Sequence, residues 1–297
     1  MYDARDRISE PSQIAFGIIT ILVVGIAFFG VLNWPSGDKA GTRPVAETSA
    51  PTSQLASLLD DPATDAYLTQ LNRVSPQSAV QLENVAAEAI ATGADKDEIA
   101  LLVLDSLSGE MASHAKSLAK ADVRHFDAML DISEQGLRSL SQSRSEWCTG
   151  AHYESYAGKS PTQMERSIRN VFSYGSPAYE WGLKVNLIAL EAIEDAKANP
   201  RNYGRMTPAD EMALQTLAMR MLTNPQVMQL MTLQGASQAE QMRAVRNLDV
   251  CSLAVTGIDA LQSLPQDTRA RLWVEAFHEM NNGGLERAMQ MGQMGGF

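Results

Sequence analysis

The chain has 297 residues, with 24 Lys and Arg against 35 Asp and Glu, for a formal charge of -11 at pH 7. That sign excludes a general nucleic-acid binder, which needs a basic surface to displace counterions from phosphates, and it excludes electrostatic adhesion to anionic lipid. Aromatic residues make up only 6 % of the chain while Ala, Leu, Gln, Glu and Met recur, and no long alternating Val/Ile/Thr run is present, so the composition favours helices over sheet.

Residues 1–13 form a short polar tail, expected on the cytoplasmic side. Residues 14–32, IAFGIITILVVGIAFFGVL, then run without a charge. At 1.5 Å per residue this is roughly 28 Å of helix, close to the thickness of a bilayer core. The run is longer than the apolar core of a cleaved signal peptide and no Ala-x-Ala follows it closely, so the expectation is an uncleaved anchor over 14–33. Trp34 suits the interface and Pro35 ends the helix. Arg5 and Arg7 before the span balance Lys39 and Arg43 after it. Orientation therefore rests on the long acidic remainder with its two cysteines, which suits export across a bacterial-type inner membrane. Residues 34–53, rich in Pro, Gly, Ser, Thr and Ala, read as a flexible tether.

The folded part is expected over 54–281, as an all-α bundle or helical array. Asp61-Pro62 marks a helix start that leads into 66–74. Ser75-Pro76 marks another, with Ser at the cap and Pro at the first helical position, and this helix stops at Gly93. Asp95 opens a third, and 110–143 is helix-compatible almost throughout, with Gly136 a candidate bend. A break over 147–161 holds Cys148, His152, Tyr153 and Tyr156. Helices resume over 162–172 and 179–198, and again after Thr207-Pro208 and Asn224-Pro225. Residues 237–264 continue as helix with an expected interruption at Gly257, and Leu264-Pro265 opens the last helix. The Met/Gly-rich tail 282–297 closes the chain.

The chemistry-bearing residues are few. Cys148 and Cys251 are the only cysteines and are expected to form a structural disulfide in an oxidising compartment. The rival use of Cys148 as a nucleophile with His152 lacks an orienting third group. Glu275-x-x-His278 and Asp122-x-x-His125 have the spacing of carboxylate–histidine metal ligands, but they fall short of the two such pairs and two further Glu that a di-iron bundle uses and read as solvated ion pairs, and Glu110 with His114 reads as a one-turn surface pair. Methionine at helical spacing (Met212, Met219, Met221, Met228, Met231, Met242) points to core filling or a partner groove, and the tail residues Met289, Met291 and Met294 keep soft-metal binding in view. Tyr153, Tyr156, Tyr174, Tyr179 and Trp181 form the one aromatic concentration, read either as a partner-binding surface or as a packing hub near the disulfide. No cofactor motif is present. The expectation is therefore an anchored envelope protein whose helical domain binds a protein partner and is not an enzyme. The alternatives are an envelope-polymer hydrolase using Glu154 or Glu180 as general acid, and a Met-rich copper carrier.

Overall fold

The computed structural model describes residues 54–154, 171–231 and 238–281, of which 79% are helical, with no strand among them. The proposed anchor 14–33, the tether 34–53, Tyr156, most of the helix expected over 162–172 and the tail 282–297 lie outside the described residues. Among the described residues no helix is long and apolar enough to cross a membrane.

The helices are α1 (Gln54–Leu59), α2 (Pro62–Val74), α3 (Pro76–Ala91), α4 (Lys96–Ser113), the single turn α5 (Ala115–Leu118) and α6 (Val123–Gln142). A 3₁₀ turn (Glu146–Cys148) and α7 (Gly150–Glu154) follow, then α8 (Pro177–Ala198), α9 (Pro208–Met221), α10 (Pro225–Met231), α11 (Gln238–Arg246), α12 (Val250–Gln262) and α13 (Gln266–Asn281). Their ends follow local chemistry. The Asp61 carboxylate accepts from the Thr64 amide at 2.8 Å to start α2. Thr207 and Asp210 form a reciprocal capping box at the start of α9, with Pro208 next in line. At the end of α3, Gly93 takes φ +92° while its N–H bonds Ile90 O and the Ala94 N–H bonds Ala89 O, so a residue free of a Cβ closes the last turn.

Helix α8 is the hub. Ala178, Tyr179, Trp181, Leu183, Leu190 and Ile193 are buried on more than one of its faces, because α2, α4, α5 and α6 all pack on it. Helices α1–α4 form one side of the bundle. On the other side α6 buries Phe126, Leu130, Leu137 and Leu140 and is sandwiched between α8 and α12, with α13 also against it and α9 resting on α12. The cores of these layers join in one apolar cluster running from Leu55 to Phe277.

Two differences from the sequence reading have clear causes. The helix expected across 110–143 is interrupted at His114 and breaks again at 119–122: Asp122 caps a new helix by accepting from the Arg124 amide, and the Leu118 carbonyl receives the buried Trp273 indole N–H at 2.9 Å. The interruption expected at Gly257 lies instead at Asn247–Asp249, numbered 247–249, where Asp249 caps α12 and Thr149 pairs with Asp249 in an isolated antiparallel bridge. Gly257 itself is a buried position inside α12, and Gly136 sits inside an uninterrupted α6.

Candidate functional site

Cys148 and Cys251 are joined, with their Cα atoms 4.7 Å apart across 103 residues of sequence. The bond ties the 3₁₀ turn after α6 to the first turn of α12. The Gly150 N–H adds a bond to Leu248 O at 2.8 Å beside it. Both cysteines are buried, so Cys148 is not an exposed nucleophile beside His152.

The aromatic residues divide by burial. Tyr179 is 1 % exposed and its hydroxyl lies 2.7 Å from Thr64 Oγ1, which itself donates to Asp61 at 2.5 Å; the chain of donors therefore runs from Tyr179 through Thr64 to the cap of α2. Burial pushes the Tyr179 hydroxyl well above its usual pKa. Trp181 is buried with its ring against Gly136 of α6. Tyr174 is half-buried: its hydroxyl donates to Leu59 O, its amide bonds Asp97 at 2.7 Å, and Lys96 Nζ stands 5.0 Å from its ring centroid. Tyr179 and Trp181 thus serve as the seam of α8 with its neighbours. Tyr153 lies in α7, with its side chain, like that of Glu154, outside the described residues.

The acidic candidates are satisfied locally. Glu180 lines a shallow pocket of about 220 Å³ with Trp181 and Lys184, but its side chain is 55 % exposed and 3.8 Å from Lys184 Nζ. A general acid needs a desolvated carboxyl, and Glu180 is solvated. Asp122 pairs with Arg201 at 3.1 Å; the Arg124 amide, then Arg201 and Arg124, hold its carboxyl below the usual range against the opposing effect of burial. Its neighbour His125 faces Asp195 at 3.5 Å instead of joining Asp122 around a shared point. His278 is exposed at the end of α13. Among the described residues no three His, Cys, Asp or Glu side chains converge on a point where a metal ion would sit.

One constellation was missed by sequence reasoning. Ser75 Oγ lies 3.1 Å from His114 Nε2, Glu110 Oε2 lies 3.4 Å from the same nitrogen, and Ser78 Oγ donates to Glu110 Oε1. Lys197 Nζ donates to Val74 O nearby at 3.0 Å. The parts are those of a nucleophile, base and acid, but hydroxyl and carboxylate compete for one ring nitrogen. A relay needs the acid on Nδ1 so that Nε2 is left for the hydroxyl. The group instead clamps the α2–α3 corner to the end of α4. Burial, then Lys197, lowers the His114 pKa. The only sequence signal was the one-turn spacing of Glu110 and His114, and the surface pair expected there is instead buried, with Glu110 only 7 % exposed because α3 covers it.

The methionines separate into two sets. Met221 is buried in α9, whereas Met212 and Met219 on the same helix are 62 % and 72 % exposed, and Met228 on α10 is 46 % exposed. Helix α9 buries Leu214, Leu217, Ala218 and Met221. Its outer face presents Met212, Gln215, Thr216 and Met219 with no charged residue between the two methionines on that line. Large side chains this exposed on one line of one helix are unlike the isolated apolar residues common on protein surfaces.

No protein-family model, curated protein or solved structure matches the chain.

Proposed function

We propose that the chain is a single-pass membrane-anchored protein whose helical domain, held outside the cytoplasm, binds a protein partner through the outer face of α9. The observation that carries the binding surface is the exposure of Met212 and Met219, seven residues apart. Methionine is flexible and polarizable, so an exposed pair adapts to a facing helix at little cost in fit. The address is supported by the charge-free run 14–32 and by the Cys148–Cys251 bond, which persists in oxidising compartments. The 34–53 tether gives the domain reach from the lipid.

The test is amine-reactive crosslinking on membranes that contain the full chain. A higher-mass species is expected for the native chain, and the double substitution Met212→Glu, Met219→Glu removes it while the far-UV circular dichroism of the purified variant stays unchanged. If the species persists undiminished in the double variant, docking lies elsewhere on the domain.

A further inference from the structure

We infer that Met212 and Met219 are a reversible oxidation site: conversion of their thioethers to sulfoxides makes the outer face of α9 polar and releases the protein docked there. The release rests on that face being the docking surface proposed above; the site of oxidation does not. The chain has two cysteines, and both are held in the buried Cys148–Cys251 bond, so no thiol is left for an oxidant to attack. Methionine is then the remaining oxidisable sulfur. Exposure selects among the methionines. Among the described residues the exposed ones are Met212, Met219 and Met228, and all three lie on α9 and α10. Met221, two residues past Met219, is buried, and Met206 just ahead of α9 is half-buried. A peroxide arriving from solvent therefore meets the outer side of α9 first and the buried methionine of the same helix last.

The step is a two-electron oxygen transfer. The sulfur lone pair attacks one oxygen of hydrogen peroxide, and the O–O bond breaks as the S–O bond forms. The departing hydroxide takes the proton from the transferred oxygen and leaves as water. Sulfur is oxidised by two electrons and the peroxide is reduced by two. The product is a polar sulfoxide, which methionine-sulfoxide reductases return to the thioether. In the free domain both positions are exposed, so the new oxygens stay hydrated and the fold is unaffected. Under a docked protein the same oxygens lose water. Between the two methionines the outer line of α9 holds Gln215 and Thr216, so the thioethers supply the apolar surface of that line. Burying one sulfoxide oxygen without a donor weakens docking by about tenfold.

Membranes that contain the full chain are treated with hydrogen peroxide, the added oxygens are mapped by peptide mass spectrometry, and amine-reactive crosslinking follows. Oxygen is expected on Met212 and Met219 while Met221 is still unmodified. The crosslinked species then falls by about tenfold or more and returns after a methionine-sulfoxide reductase is added. The far-UV circular dichroism of the purified, oxidised chain stays unchanged. The double variant Met212→Leu, Met219→Leu is expected to give the same yield after peroxide as it gives before. Oxidation of Met221 as early as Met212 and Met219 would overturn the site. Full oxidation at both positions with an undiminished species would overturn the release and leave the docking face standing. An equal fall in the leucine variant would also overturn the release, since the sensitive group would then lie on the other protein. No crosslinked species even before peroxide would overturn the docking reading and the release together.

Discussion

Substitution of Asp210 by Ala tests whether α9 is fastened to the bundle by a buried ion pair. Asp210 is 1 % exposed and its two carboxylate oxygens accept five hydrogen bonds. They come from Arg271 Nε at 2.6 Å and Nη2 at 2.9 Å, Thr268 Oγ1 at 2.7 Å, and Thr207 N at 2.8 Å and Oγ1 at 2.7 Å. Removing the carboxylate leaves the Arg271 charge and the buried Thr268 hydroxyl without their acceptor. Breaking one side of a buried pair costs about 3–5 kcal/mol. The Arg271 side chain is 20 % exposed and turns partly toward water, which places this case at the lower end, about 3–4 kcal/mol. In a domain of this size that lowers Tm by roughly 6–16 °C. Urea unfolding followed by circular dichroism at pH 7 measures it. The double variant Asp210→Ala, Arg271→Met recovers part of the loss, since much of the cost belongs to the orphaned charge. A loss below about 1 kcal/mol for the single variant, or a double variant no more stable than the single one, would refute the reasoning.

The same carboxyl is held well below its usual pKa, first by the Arg271 hydrogen bonds, against burial, with Thr207 and Thr268 assisting. Its contribution is complete above the unfolded carboxyl pKa near ~4 and is lost as pH falls through the lower folded value, so the stability gap between native chain and Asp210→Asn stays constant from neutral pH to about 5 and narrows below about 4. For His114 the folded pKa is lowered, by burial and then Lys197, so the unfolded chain takes up the proton first and stability falls as pH drops below about 6.5; His114→Gln removes that slope, and the His114 titration followed by NMR has its midpoint below 6.5. Replacing Cys148 and Cys251 together by Ser frees a loop closed across 103 residues and is expected to cost up to about 4.7 kcal/mol in denaturant unfolding, while leaving the helical circular dichroism intact. Gly136→Ala places a Cβ 2.6 Å from the Trp181 ring, so the ring or the helix must shift; a loss of about 1–3 kcal/mol and a changed near-UV tryptophan band are expected. Trp273→Phe keeps the ring contacts with Phe126 and Phe277 but removes the indole donor to the Leu118 carbonyl, which still accepts the Ala121 N–H at 3.0 Å, so a loss of about 0.5–1.5 kcal/mol is expected by unfolding.

The helix starts were the most legible part of the fold. Asp61-Pro62, Thr207-Pro208 and Asn224-Pro225 each pair a capping side chain with the residue whose missing N–H and preset φ suit the first turn, and all three open helices. The disulfide was legible because two cysteines allow only one pairing. Breaks set by distant residues were not. Nothing near Leu118 announces that Trp273, 155 residues away, takes its carbonyl, and nothing near Gly257 announces that the interruption belongs to Asp249. Ser75 stands at the predicted cap, yet its hydroxyl turns to His114 and makes no capping bond, because a tertiary partner competes with the local one. The methionines of α9 could not be sorted by pattern, since methionine stands on its buried face and on its outer face alike; packing separates Met221 from Met212 and Met219. The same limit applies to the aromatic segment, where composition alone did not distinguish the buried Tyr179 and Trp181 from a recognition surface.

The most direct measurement of the α9 surface is photo-crosslinking in membranes, with a photoreactive amino acid placed at position 219 in one full-length variant and at position 85 in another. Met219 and Val85 are both exposed apolar residues, at 72 % and 42 %, on opposite parts of the bundle order, α9 and α3. Position 219 is expected to yield a protein adduct on irradiation and position 85 none. Equal adduct formation at both positions, or adducts at 85 alone, would contradict the account.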